Sequence, residues 1–224
     1  MSPNYLEIHQ YRLDKLLSLI ESLKIPPKGR VLDLGCYPDY LLKNLNKSGF
    51  EVYGVASVQE SMMQKNVSIL NLEMDKLPYK SNSFDLIILS EVIEHLGTGL
   101  TKLYSEVTRC LKPGAFFIVT TPNVLRLHNL FSLIIGKNIY FPLFQLEQAH
   151  NFRHQREYTL PEIISFAPKN LTVEQTQYLI AYPPFRQKVS KEPFLTRLYK
   201  WFFYLLLLIF PRRRDTLIVV FKKR

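Results

Sequence analysis

Phe84–Leu89 reads FDLIIL, a nearly unbroken apolar run set between Asn82-Ser83 and Ser90-Glu91. A strand with one wet face alternates apolar and polar residues, so a run without alternation belongs to a strand covered on both faces. That cover comes from helices above and below a mostly parallel sheet. The flanking chain agrees. Leu13, Leu16, Leu17, Ile20 and Leu23 recur at helical spacing, which predicts an amphipathic helix over about residues 5–23, ended by Pro26-Pro27. Arg30–Leu34 reads as a strand. Residues 39–48 read as a helix with Leu41, Leu42 and Leu45 inward, closed by Gly49. Glu51–Val55, Val67–Leu70 and Ala115–Thr120 read as further strands, and 99–111 as a helix stopped by Pro113-Gly114. Alternating strands and helices through residue 121 predict a doubly wound parallel sheet.

Beyond residue 121 the alternation loosens. Residues 122–160, rich in aromatics, His and Arg, read as an insertion over the sheet edge, and Leu171–Ile180 and Asp215–Phe221 as the last strands. There is no repeat and no low-complexity linker, so 1–224 is expected to be a single domain carrying that insertion and a basic, apolar segment at about 186–224.

Charge is unevenly distributed. The net charge is +10, but residues 1–185 hold 18 basic and 17 acidic side chains, whereas 186–224 hold 11 basic and 2 acidic. A local basic patch follows, and a nucleic-acid groove across the fold is excluded. Cys36 and Cys110 have neither disulfide-framework nor zinc spacing and read as buried small hydrophobes in a reducing compartment. No basic stretch followed by an apolar one opens the chain, so a cytoplasmic location is expected.

In open α/β sheets, ligands bind beyond the carboxyl ends of the strands. After the first strand comes GCYPDY (35–40), after the second Ala56-Ser57, after the third EMDKLPY (73–79), after the fourth SEVIEHL (90–96) and after the fifth TPN (121–123). Polar groups thus gather on one rim. These segments, with the strands before them, resemble the class I S-adenosylmethionine-dependent methyltransferases, in particular their small-molecule group. VLDLGC is similar to the family's first motif, EMDKLPY to DAEKLPF, SNSFDLIILSEVIEHL to NSFDxVxxxEVxEHL, and LKPGAFFIVTTPN to LKPGGxLxxxTPN. REYTLPEI at 156–163 and a last strand ending in basic residues extend the likeness. The resemblance implies a Rossmann-like sheet of seven strands, the last antiparallel, with helices on both faces. S-adenosylmethionine is the cofactor it implies.

Carried over onto this chain, Asp33 and Gly35, with Cys36 beside them, would bracket the methionine part of the cofactor. Glu73 and Met74 would flank its adenine, and Ser90 and Glu91 would line the site beneath the sulfonium. Two departures stand out. Tyr37 and Asp39 occupy places where the family carries glycines; Asp39 is expected to cap the following helix instead. Ala56 stands where the family carries a ribose-binding carboxylate, a role Gln59 or Glu60 could assume.

Two imidazoles are the catalytic candidates: His95 on the rim, and His154 within HNFRHQREY at 150–158. That stretch reads either as a substrate lid, His154 being the base and the arginines meeting an acidic substrate, or as a solvated loop before a helix opened by the capping box TLPE at 159–162. In ubiquinone-type O-methyltransferases the EVxEH segment is associated with a divalent cation, which would make Glu91, Glu94 and His95 its ligands. The wider group carries EVxEH without a metal, and none is assigned here. The tail YKWFFYLLLLIF (199–210), followed by Pro211-Arg212-Arg213-Arg214, is too short to cross a bilayer. It is expected either to be buried on the sheet or to lie on an anionic membrane surface.

The expected function is methyl transfer to an oxygen or nitrogen of a small-molecule or lipid-linked acceptor. The alternative is a non-catalytic member whose cofactor site has decayed and which acts through a partner or membrane.

Overall fold

The computed structural model describes residues 4–37, 39–57, 66–140, 154–184 and 193–224. The chain opens with α1 (Asn4–Ser22), followed by β1 (Arg30–Leu34), α2 (Tyr40–Lys47), β2 (Glu51–Ala56), β3 (Val67–Ile69) and β4 (Phe84–Ser90). Then come α3 (Leu100–Cys110), β5 (Leu111–Pro122), α4 (Leu127–Ile134), α5 (Leu160–Ser165), β6 (Leu171–Leu179), α6 (Phe194–Ile209) and β7 (Thr216–Lys223). The strands form one seven-stranded sheet in the order β3-β2-β1-β4-β5-β7-β6. β1 pairs parallel with β2 and β4, and β4 with β5, while β7 runs antiparallel between β5 and β6.

Side chains alternate between two cores, as the pleat requires. Leu86 and Ile88 of β4 join Val31, Val52, Ile118 and the apolar stripes of α1 and α2 on one face. Ile87 and Leu89 join Leu32, Phe117, Val219 and the stripe of α3 with Ile163 of α5 on the other. All six residues from Phe84 to Leu89 are buried. This double cover is why β4 carries no alternation in sequence.

Two elements differ from expectation. β5 begins at Leu111, well before Ala115, because Phe84 pairs with Leu111 and the register shifts before Leu86 meets Phe116. Pro113 and Gly114 (φ +78°) lie within that irregular stretch and do not separate helix from strand by a loop. Of the two readings left open for the apolar tail, packing on the sheet is not the one the structure shows. Of α6 only Leu207 is buried, while the two cores are filled by α1, α2, α3 and α5, leaving α6 on the outside.

Candidate functional site

The strand order reverses direction at β1: β2 and β3 lie on one side, β4 and β5 on the other. A crevice forms outside the carboxyl ends at such a switch point, because the connections leaving β1 and β4 diverge to opposite faces. Here a cleft of about 30 Å³ sits at that place, lined by Arg12, Leu13, Asp33, Gly35, Tyr37, Leu41 and Ser90. The structure therefore brings together Asp33, Gly35 and Ser90, three residues expected to share a site.

Gly35 has φ +84°, a left-handed conformation that favours glycine. A Cβ there would stand 2.3 Å from Val92 Cγ2, so the turn tolerates no larger residue. Val92 follows Glu91, itself at φ +55°. A left-handed glutamate costs on the order of 1–3 kcal/mol and persists only where its surroundings hold it. Here Glu91 N–H donates to the Thr120 carbonyl at 2.9 Å, Thr120 Oγ1 donates to Glu91 Oε1 at 2.9 Å, and Arg12 pairs with Glu91 Oε2. Ser90 Oγ and Thr120 Oγ1 lie 2.9 Å apart and complete the network.

Asp33 is 3% exposed, and among the described residues no hydrogen-bond donor reaches its carboxylate. Burial alone pushes its pKa up to about 7. A buried carboxylate facing a cleft without a donor is a site for an incoming cation or N–H group. Arg12 was absent from the expected site. Its signal was nevertheless present: Arg12 lies four and eight residues before the buried Leu16 and Ile20, so it is the one cation on the buried stripe of α1. Arg12 and Asp33 give the cleft one group of each sign, matching the carboxylate and ammonium of an amino-acid moiety.

The other expected cofactor residues lie elsewhere. The Cys36 thiol is buried against β2 near Gly54, with its pKa pushed up to about 12 by burial. Glu73 Oε1 accepts the N–H groups of Gly97 and Thr98, both at 2.8 Å, and so ties the loop after β3 to the loop after β4. The Met74 side chain is exposed. Tyr37 and Asp39 do not require left-handed backbone: Asp39 has φ −67°, and Tyr37 is not among the positive-φ residues. The expected Asp39 cap is corrected, since its carboxylate makes no capping hydrogen bond to α2 and instead meets Lys43 Nζ at 2.9 Å. Ala56 is buried and apolar. Gln59, Glu60 and residues 150–153 lie outside the described residues.

His95 and His154, 59 positions apart in sequence, are neighbours with ring centroids 5.0 Å apart. The backbone N–H groups of Gln155 and Arg156 donate to the Glu94 carbonyl at 2.6 and 3.2 Å, which brings the His154 segment onto the rim. The capping box is present: Thr159 and Glu162 exchange their hydrogen bonds at the start of α5. His154 Nδ1 lies 3.0 Å from Glu157 Oε1. Burial opposes ionisation of Glu157, but hydrogen bonds from His154 and Arg126 outweigh it and hold its pKa below the usual range. Glu157 thus fixes the Nδ1 side of the His154 ring and leaves Nε2 turned away from it. Beside this pair is a cavity of about 140 Å³ whose wall includes Val124, Arg126, Tyr140, Arg156 and Glu157. Arg126 and Arg156 are paired with Glu157 and Glu162, which lowers their availability for an acidic substrate.

Glu94 is 1% exposed, and Thr121 donates to its Oε2 at 2.9 Å. Its pKa stands well above the ordinary value, from burial first and the Glu91 charge second. Glu94, His95 and His154 each offer one donor atom, all within 4.8 Å of one another, a spacing and chemistry that one divalent ion accepts. Glu91 is not part of this group, being held by Arg12.

The sheet order and the cleft at its switch point define a Rossmann-like α/β protein. A profile of the methyltransferase domain matches residues 5–171, well over half of the chain, and the chain belongs to that family. It is 26% identical over 118 residues to malonyl-[acyl-carrier protein] O-methyltransferase of Legionella pneumophila, a match covering 48% of this chain and 40% of that protein. It is 26% identical over 172 residues to ubiquinone biosynthesis O-methyltransferase of Bradyrhizobium diazoefficiens, covering 71% of this chain and 64% of that protein. The chain thus spans less than two thirds of the length of either relative. In structure it superposes on an S-adenosylmethionine-dependent methyltransferase from Mesorhizobium loti with a TM-score of 0.60 at 16% identity, covering 94% of this chain and all of that one.

Proposed function

We propose that this chain transfers a methyl group from S-adenosylmethionine to an oxygen or nitrogen of a small-molecule or lipid-linked acceptor. The observation that carries the reading is the buried Asp33 carboxylate in a cleft at the switch point that Arg12 also lines. Bound there, S-adenosylmethionine supplies an electrophilic methyl group on a sulfonium centre. Asp33 and Arg12 are the groups that would hold its ammonium and carboxylate, and the left-handed turn at Gly35 lets the main chain come close. His154, oriented by Glu157, receives the acceptor's proton at Nε2. The names of the two relatives, both O-methyltransferases, favour oxygen as the methylated atom.

The cleft is closed down to about 30 Å³, space for a few water molecules at most. Admitting a nucleoside-sized ligand therefore requires the cleft to open beyond the volume it has here.

Ala56 favours a second reading, a non-catalytic member of the family. Without a carboxylate at the end of β2, a ribose loses a charged hydrogen bond worth about 1.5–3 kcal/mol. That is about a 10–150-fold loss of affinity. Isothermal titration with S-adenosylmethionine and S-adenosylhomocysteine decides between them. Saturable heat from the natural chain supports the transferase. Absence of heat and of any thermal shift at millimolar ligand sinks it, and binding created by Ala56→Asp alone then supports the decayed site.

A further inference from the structure

The outer side of the molecule carries an apolar surface that neither core uses. On α6, Phe194, Leu195, Leu198, Phe202, Leu205 and Ile209 are each more than half exposed, between 54% and 75%. At about 100° per residue these six positions fall within an arc of about 100°, so they form one continuous stripe. α4 lies beside it: the rings of Phe131 and Phe203 meet edge to face with centroids 5.6 Å apart. From α4 and the residue after it, Leu133, Ile134 and Ile135 are exposed by 54%, 79% and 57%. Two helices thus present apolar side chains together, a patch well beyond the scattered exposure ordinary on a soluble surface.

Its charge is one-sided. Residues 127–140 and 193–214 contain no Asp or Glu, while they carry Lys137, Arg197, Lys200 and Arg212–Arg214. Of these, Lys137, Arg197 and Arg212 are exposed. Trp201 and Tyr199 add the amphipathic rings that sit at headgroup depth. No helix of the described residues is long and apolar enough to cross a membrane. α6, at 16 residues, spans about 24 Å against a hydrocarbon core of about 30 Å.

We propose that the α4/α6 face docks on an anionic lipid bilayer, its stripe entering the headgroup boundary and its basic side chains pairing with lipid phosphates. Charge complementarity selects this occupant. A surface that is apolar and basic matches a sheet of negative headgroups over an apolar interior, whereas a second copy of this chain, with the same positive charge, does not. The face is continuous with the cavity at His154: Ile139 and Tyr140, in the segment leaving α4, line that cavity. Docking would bring the cavity close to the bilayer surface. This proposal stands apart from the transferase reading, since lipid binding is measured without cofactor or turnover.

The test is co-sedimentation of the full chain with vesicles of phosphatidylcholine alone or mixed with phosphatidylglycerol, at low and high salt. Binding to the mixed vesicles, weakened at least tenfold by high salt, is expected. Ile134→Asp and Leu198→Asp, at exposed positions and verified folded by circular dichroism, should each weaken it about tenfold, and Arg197→Glu with Arg212→Glu more at low salt than at high. The α4 variant matters most, because a tail acting alone would be indifferent to residue 134. Absence of binding to anionic vesicles at low salt overturns the proposal. So does a sedimentation velocity result in which the chain is a dimer that Leu198→Asp dissociates while vesicle binding is absent.

Discussion

One end of this molecule buries charge and another exposes apolar surface. At the β1–β4 crevice Arg12 and Asp33 are exposed by 5% and 3%. On the α4/α6 face Ile134 and Phe194 are exposed by 79% and 75%. Both regions invert the ordinary partition of side chains, and both inversions cost stability. The costs differ in kind. Buried charge is penalised steeply unless each group has a partner, so the crevice is a network in which removing one member is felt by the rest. Exposed apolar side chains are penalised weakly and independently, because each faces solvent in the folded and unfolded states alike. The crevice should therefore be fragile and pH-sensitive, and the outer face tolerant.

The largest effect should come from Arg12→Met. It leaves the partly buried Glu91 without its guanidinium partner in a left-handed conformation, and loss of about 2–4 kcal/mol is expected in urea denaturation. A loss below about 1 kcal/mol would mean that the Arg12–Glu91 pair contributes little, and the contrast between the two regions would fail.

Next is the pH dependence of Asp33. Its folded pKa, about 7, lies above the unfolded value. Between about pH 4 and 7 the folded chain therefore holds a proton that the unfolded chain has released, so stability falls as pH rises through this window, by up to roughly 1.4 kcal/mol per unit. Asp33→Asn should flatten that slope. Affinity for S-adenosylmethionine should move oppositely, rising as pH passes 7, since only the ionised carboxylate pairs with an ammonium. Titrations at pH 6 and 8 check this, with a difference approaching tenfold expected and none expected for Asp33→Asn.

The smallest effect belongs to the outer face. Leu205→Lys should change stability by no more than about 0.5 kcal/mol. A loss of 2 kcal/mol or more would mean that α6 is packed in solution and that the contrast is wrong.

The parallel half of the sheet was legible in the chain almost residue by residue. Arg30–Leu34 and the inward face of Leu41, Leu42 and Leu45 needed only local pattern, since buried strands and half-buried helices leave different apolar periods. The Thr159–Glu162 capping box was equally local. At the site, Asp33, Gly35 and Ser90 were readable because a strand's carboxyl end marks the rim. Arg12 was readable only as a cation on the buried stripe of α1, because an arginine on a helix gives no sign of which strand end its helix will cross. For Glu73 the local pattern gave no sign that its carboxylate would accept two N–H groups more than twenty residues away. Asp39 was expected to cap, but Lys43 one turn on competes for it.

By itself, the sequence determined the order of elements, the doubly covered strands, the glycine turn after β1 and the charge of the tail. Each of these depends on neighbours along the chain, where spacing and residue type are sufficient. Only the tertiary structure decided that Arg12 pairs with Glu91 at the cleft, that His154 reaches His95, and that α6 stays outside and joins α4. These are contacts between distant segments, settled by which surfaces remain uncovered once the sheet has closed its two cores. A run of leucines reports that burial is favourable, not whether any space is left to be buried in.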